Sequence, residues 1–273
     1  MGSVKSQSTA ARAARLSGPI GPAPSSVSGV VLLLPGGEEV SARRPLPFAA
    51  AGMRALGRHL ARAGRTDGLA AHVVQYHQRG WNGSEAQLAK AATWAADEAV
   101  RRYGDVPVCL AGTDMGARAA LHASGHAAVN SVLALAPWLP EDDVAVPPEP
   151  VKQFHGRTVL IVHGTNDERT DPELSFRLAA RAKKAHRDIA RFEVHSDGHR
   201  LSQHRSEVLA LAADFVRGTL FGHAFARPVQ DALAAPPPIG LRMPLASGFG
   251  STLGTPNGRG NGRGNGRGNG RRK

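Results

Sequence analysis

Residues 110–118 read Leu110-Ala111-Gly112-Thr113-Asp114-Met115-Gly116-Ala117-Arg118, and this stretch decides how the rest of the chain is to be read. An apolar run, Val106 to Gly112, leads into it, and a helical pattern from Gly116 to Ala123 leads out. Gly112 and Gly116 stand two residues either side of Asp114. That spacing suits a tight strand-to-helix turn, G-x-Nu-x-G, whose strained central side chain is held above a sheet. The helix start would aim backbone amides at any oxyanion formed there.

Outward from this turn the pattern alternates. Gly29 to Pro35, Leu69 to Tyr76, Val129 to Ala136, Thr158 to Gly164 and Ala190 to His195 are short, continuous apolar runs. Such runs suit strands buried on both faces. Helical stretches lie between them, at Pro47 to Ala63, Glu85 to Arg102, Asp171 to His186 and Gln203 to Arg217. Pro172 suits the first turn of its helix. About six strands alternating with helices predict an α/β fold: a mainly parallel sheet, covered by helices on both faces, with right-handed crossovers. In such folds function gathers in loops at the carboxyl ends of strands.

Two of those loops carry partners for Asp114. Asp167 follows one strand in Gly164-Thr165-Asn166-Asp167-Glu168-Arg169-Thr170, and His199 follows the next in Ser196-Asp197-Gly198-His199-Arg200. The chain order is elbow residue, acid, histidine. With LPGG (34–37), LAGTDMGARAAL (110–121), LALAPWLP (133–140), VLIVHGTNDERT (159–170) and DGH (197–199), residues 29–218 resemble the α/β-hydrolase superfamily. The resemblance is to its small, cap-less branch of esterases and dienelactone hydrolases, and it implies the α/β-hydrolase fold.

The chain departs from that family at the elbow. Members usually carry Ser there, as GHSMGG; here Asp114 stands in its place, Thr113 stands where His is usual and Ala117 where Gly is usual. Dehalogenase-like and epoxide-hydrolase-like members do use a carboxylate. The resemblance then implies attack by Asp114 on an sp³ carbon, followed by water activated by His199, with Asp167 orienting the histidine. Met115 stands where halide-binding members place Trp. The 21 residues between Ala136 and Thr158 leave no helical cap to bring paired tyrosines, and the chain has only Tyr76 and Tyr103. Two readings stay open: a small-molecule hydrolase, or a catalytically impaired scaffold that binds a ligand or protein partner in the old pocket.

Around the elbow, the backbone N–H groups of Gly36, Gly37 and Met115 are candidates for an oxyanion hole, Gly36 and Gly37 being equally readable as a tight turn. Trp81, with Arg79, and Trp138 lie in loops after strands and are candidate substrate contacts, or else loop packing. Cys109 reads as an inert core thiol.

The formal net charge is +12, which invites a nucleic-acid reading. Residues 1–28 carry +3 and residues 223–273 carry +7, so the middle, 29–222, is nearly neutral. The ends read as a disordered basic arm (1–28) and a Pro/Gly-rich disordered tail (223–273) closing in an NGRG repeat, flanking one hydrolase domain. Nucleic acid bound through that Arg/Gly tail is a third reading. It lacks the stacking aromatics such arms use, which leaves salt-dependent phosphate contacts. A single cysteine excludes a disulfide framework and a Cys-based zinc site, and no motif calls for a metal or cofactor. No apolar run approaches a membrane span and no signal peptide is visible, so a cytoplasmic protein acting on a small molecule is expected.

Overall fold

The computed structural model describes residues 14–251 other than 46, 47, 49 and 142–147. Within its sheet runs β2 (Gly29–Leu34), with every residue buried. Parallel partners flank it, β3 (Leu69–Gln75) on one side and β4 (Val108–Asp114) on the other. Beyond β4 follow β5 (Val129–Pro137), β6 (Thr158–Gly164) and β7 (Ile189–Val194), all parallel. These are the six strands expected from the apolar runs. Two short strands extend the sheet: β1 (Arg15–Leu16), antiparallel to β3, and β8 (Met243–Pro244), parallel to β7. The eight-stranded order is β1-β3-β2-β4-β5-β6-β7-β8.

Neighbouring residues of each strand face opposite sides, so the sheet has two cores. On one side Val31, Leu33, Leu133, Leu160 and Phe192 meet α1 (Ala51–Ala63), α5 (Arg205–Phe221) and α6 (Arg227–Ala234). On the other, Val30, Leu32, Leu110, Val132 and Ile161 meet α2 (Gln87–Tyr103), α3 (Met115–Ala123) and α4 (Pro172–Ala185). The facing alanines of α2 and α3, among them Ala92, Ala96, Ala117 and Ala120, are buried and let these helices lie close. Helix α4 starts where Asp171 accepts the Glu173 N–H at 2.8 Å, with Pro172 next in line.

The chain runs from β2 out to β3, then back across to β4. That reversal opens a crevice between the carboxyl ends of β2 and β4, where open α/β sheets bind ligands. Residues 35–37 and 112–114 meet there.

Both ends of the chain correct the sequence expectation. Part of the 1–28 arm belongs to the sheet: Arg15 and Leu16 pair with β3, and the Ile20 and Ala71 backbones exchange two hydrogen bonds of 2.9 Å. Main-chain pairing to an open sheet edge needs no apolar side chains, so composition does not reveal it. Part of the 223–273 tail also folds. Val229 and Ala232 of α6, with Leu241 and Leu245, are buried. The NGRG repeat, and with it the nucleic-acid reading, lies outside the described residues. Residues 14–251 hold +4 of the +12 charge, twice what the expected domain boundaries assign.

Lys183 on α4 fastens this C-terminal segment. Its buried ammonium donates to the carbonyls of Ala232 (2.6 Å), Ile189 (2.7 Å) and Leu233 (3.2 Å). Lys183→Met keeps the apolar stem and leaves these carbonyls without that donor. It should cost about 2–3 kcal/mol, read as a lower urea midpoint at unchanged slope. An unchanged midpoint would show that α6 is held by its apolar contacts alone.

Candidate active site

Strand β4 ends at Asp114 and α3 begins at Met115. Asp114 adopts φ 54° and ψ −126°, which costs a non-glycine residue roughly 1–3 kcal/mol. Close packing enforces it. A Cβ on Gly116 would lie 2.2 Å from the Leu34 carbonyl oxygen and 2.3 Å from that of Pro35. A Cβ on Gly112 would lie 2.3 Å from the Gly116 carbonyl oxygen. Only glycine lets the helix start press onto the end of β2 this way. The β4–β5 register also slips at Asp114, which pairs with Pro137, and the Trp138 N–H donates to the Asp114 carbonyl at 3.2 Å.

Asp167 lies in the turn after β6. Its Oδ1 accepts the backbone N–H groups of Arg169 (2.9 Å) and Thr170 (3.0 Å), so the side chain shapes its own turn. Its Oδ2 accepts the Thr170 hydroxyl at 2.6 Å and lies 2.9 Å from His199 Nδ1 and 3.2 Å from His163 Nε2. Burial works to raise this carboxyl. The hydrogen bonds from His163, Thr170 and His199 outweigh it and hold Asp167 well below the usual carboxylate range. A proton on Nδ1 of His199 would complete the 2.9 Å contact with Asp167, and Nε2 faces Asp114. The loop bearing His199 is organised by Asp197, whose carboxylate accepts the N–H groups of Ser202 (3.1 Å) and His204 (3.0 Å).

The three expected residues therefore meet. His199 Nε2 lies 4.0 Å from Asp114 Oδ1. The other carboxylate oxygen, Oδ2, accepts from the Arg169 guanidinium at 2.9 Å. Burial pushes the Asp114 carboxyl up, against the opposing pull of Arg169, His199 and the Met115 N–H.

Gly36 belongs to this group: a Cβ there would sit 3.0 Å from Asp114 Oδ2. Gly37 is packed tightly as well: a Cβ there would meet the Arg79 carbonyl at 2.5 Å and Leu88 at 2.7 Å. The expectation for Trp81 is corrected. It is buried, edge-on to His122, with the Arg118 guanidinium 4.0 Å above its ring, which makes it core packing and not a substrate contact. Trp138 covers the same guanidinium at 5.1 Å. Arg79 pairs with Glu38 at 2.8 Å. Sequence reading missed Arg169, His163 and Thr170. All three lie within the stretch 159–170, and the Asx turn that Asp167 can form would have drawn Arg169 and Thr170 towards it.

Among the described residues no group of three or more His, Cys, Asp or Glu side chains could hold a metal ion, and no helix is long and apolar enough to cross a membrane. Among family models and curated proteins nothing matches this chain. Solved structures do. The esterase Pf2001 of Pyrococcus furiosus superposes with a TM-score of 0.56 at 13% identity, covering 71% of this chain and 84% of that one. TT1662 from Thermus thermophilus gives 0.54 at 20% identity, covering 73% and 92%. Est1E from Butyrivibrio proteoclasticus gives 0.51 at 14% identity, covering 74% and 97%. At such identities the likeness is one of fold, and the fold is that of the α/β hydrolases.

Because burial raises Asp114, the folded state keeps this proton to a higher pH than the unfolded chain does. The stability it contributes in acid is lost as pH rises through the folded-state value. Asp114→Asn escapes that loss. The variant should unfold at a higher temperature than the parent at pH 7, with the gap closing towards pH 4. An equal gap at both pH values would trace the gain to something other than the buried charge.

Proposed function

We propose that this protein is a small-molecule hydrolase in which the Asp114 carboxylate attacks carbon. The observation supporting this is the Asp167–His199 pair, closed at 2.9 Å and turned towards Asp114 across a strained elbow. Holding that backbone conformation has a stability cost, and such costs concentrate where chemistry needs them.

Asp114 Oδ1, the oxygen facing His199, bonds to an sp³ carbon as the carbon–leaving group bond breaks, and the electron pair departs with the leaving group. The product is an alkyl ester of Asp114. The 4.0 Å between Oδ1 and Nε2 is too long for a direct hydrogen bond and suits a water placed to reach both the base and the ester carbon. That water gives a proton to Nε2 and its oxygen to the Asp114 carboxyl carbon. The released alkoxide takes the proton back from His199, and Asp114 ionises again. An acyl substrate would instead yield a mixed anhydride, so esters are the poorer candidates. In this reading the Met115 N–H, which already acts on the Asp114 carboxylate, stabilises the negative oxygen of the second step, with the Gly36 N–H as its expected partner.

Intact-mass spectrometry with a haloalkane tests this. His199→Ala should accumulate one alkyl adduct per chain on Asp114, since the ester forms and is not cleaved. Asp114→Ala should form none, and the wild type should release alcohol. Because attack needs the ionised carboxylate, the acid limb of turnover should lie above the ordinary aspartate range. Absence of both adduct and turnover would overturn the proposal. The ion pair between Arg169 and Asp114 favours a second reading, an impaired scaffold that binds a ligand or protein partner. Under it the wild type is inert towards haloalkanes, epoxides and p-nitrophenyl esters, and Asp114→Ser gains esterase activity.

A further inference from the structure

Arg169 is the cation of this site. Its backbone N–H is fixed on Asp167 Oδ1 at 2.9 Å, while its side chain is 59% exposed and ends 2.9 Å from Asp114 Oδ2. The root of the residue is thus tied to the triad acid, and its head is free to follow a charge. The neighbouring Asp167 is committed to His163, Thr170 and His199, so Asp114 is the carboxylate that the Arg169 head neutralises.

The geometry points to Arg169 as the site of an anionic leaving group, which replaces Asp114 as the counter-ion of the guanidinium during turnover. This rests on the carboxylate-nucleophile reading above. When Oδ1 bonds to carbon, Asp114 passes from an anion to a neutral ester, and the electron pair of the broken bond leaves with X as X⁻. The charge lost beside Arg169 is the charge gained by X, so the site's net charge is unchanged through the step. Hydrolysis of the ester restores the carboxylate, which reclaims Arg169 and expels X⁻. The sum is R–X + H₂O giving R–OH, X⁻ and H⁺. The substrate class is therefore small alkyl compounds that release a monovalent anion, such as a halide. An epoxide, whose oxygen stays attached, provides no anion for the exchange. Members of the fold that bind halide through a Trp after the nucleophile have no counterpart here, because that position is the buried Met115.

Chloride line broadening in NMR, with sodium chloride as the probe, reads the exchange without turnover. Asp114→Asn imitates the neutral ester and should show at least about tenfold more bound-chloride broadening than the wild type, in which Asp114 occupies the cation. The double variant Asp114→Asn/Arg169→Met should return to the wild-type level. Equal broadening in the single and double variants, or none in Asp114→Asn, would overturn the proposal. A second measurement follows adduct formation from 1-chlorobutane in the His199→Ala background over a pH series, comparing the plateau rates reached in base with and without Arg169. There Arg169→Met should slow the adduct about 100-fold or more, as loss of a charge-stabilising donor does, and an unchanged rate would equally overturn it. If no adduct forms even with Arg169 present, the nucleophile reading itself has failed, and the chloride measurement still decides by itself whether Arg169 takes an anion.

Discussion

The site depends on how closely the first turn of α3 presses onto the end of β2. The space a Gly116 Cβ would need is occupied by the carbonyl oxygens of Leu34 and Pro35, at 2.2 and 2.3 Å. Gly112 meets the helix start from below in the same way. With the strand end and the helix start this close, the residue between them has to turn sharply, and Asp114 takes a positive φ. Its carboxylate then projects over the sheet, against Gly36 and beneath Arg169. An ordinary loop of the same composition would leave this side chain free to choose a relaxed rotamer in solvent.

The two carboxylates of the site are separated by environment. Asp167 and Asp114 are both buried. Asp167 gathers backbone N–H groups, a hydroxyl and two imidazoles, which together stabilise its charged form. Asp114 has one guanidinium and the Met115 amide, and burial wins. Pairs of acids pushed apart in this way take different roles. The low one holds the histidine through the 2.9 Å contact at Nδ1; the high one is the less solvated carboxylate, which suits the nucleophile proposed above. The ion pair to Arg169 keeps that buried charge from being left alone, which would cost more than the pair itself gains.

Much of the fold was legible because the central strands are unbroken Val/Leu/Ala runs and the elbow glycines have a fixed spacing. Asp114, Asp167 and His199 were singled out by the elbow spacing, the chain order and the resemblance to α/β hydrolases, each at or just after the end of a parallel strand. The edges were not. β1 is two residues held by backbone hydrogen bonds, and α6 buries only Val229 and Ala232, so neither leaves an apolar period to find. Trp81 misled because a tryptophan after a strand end looks like a pocket wall, whereas here its ring packs under the Arg118 guanidinium, which also pairs with Glu149. Arg169 was passed over because an arginine in a polar turn is, in sequence, indistinguishable from a solvated charge; its meaning lies in the 2.9 Å contact with a residue 55 positions away.

In the mechanism proposed, carbon is bonded to Asp114 during turnover. A single turnover in oxygen-18 water, with enzyme in excess over 1-chlorobutane, tests it most directly. If Asp114 is the nucleophile, the first butanol released carries ordinary oxygen taken from the carboxylate, and the peptide containing Asp114 acquires the heavy isotope. If the label appears in butanol and the Asp114 peptide stays unlabelled, water has attacked the substrate directly, and Asp114 is not the nucleophile.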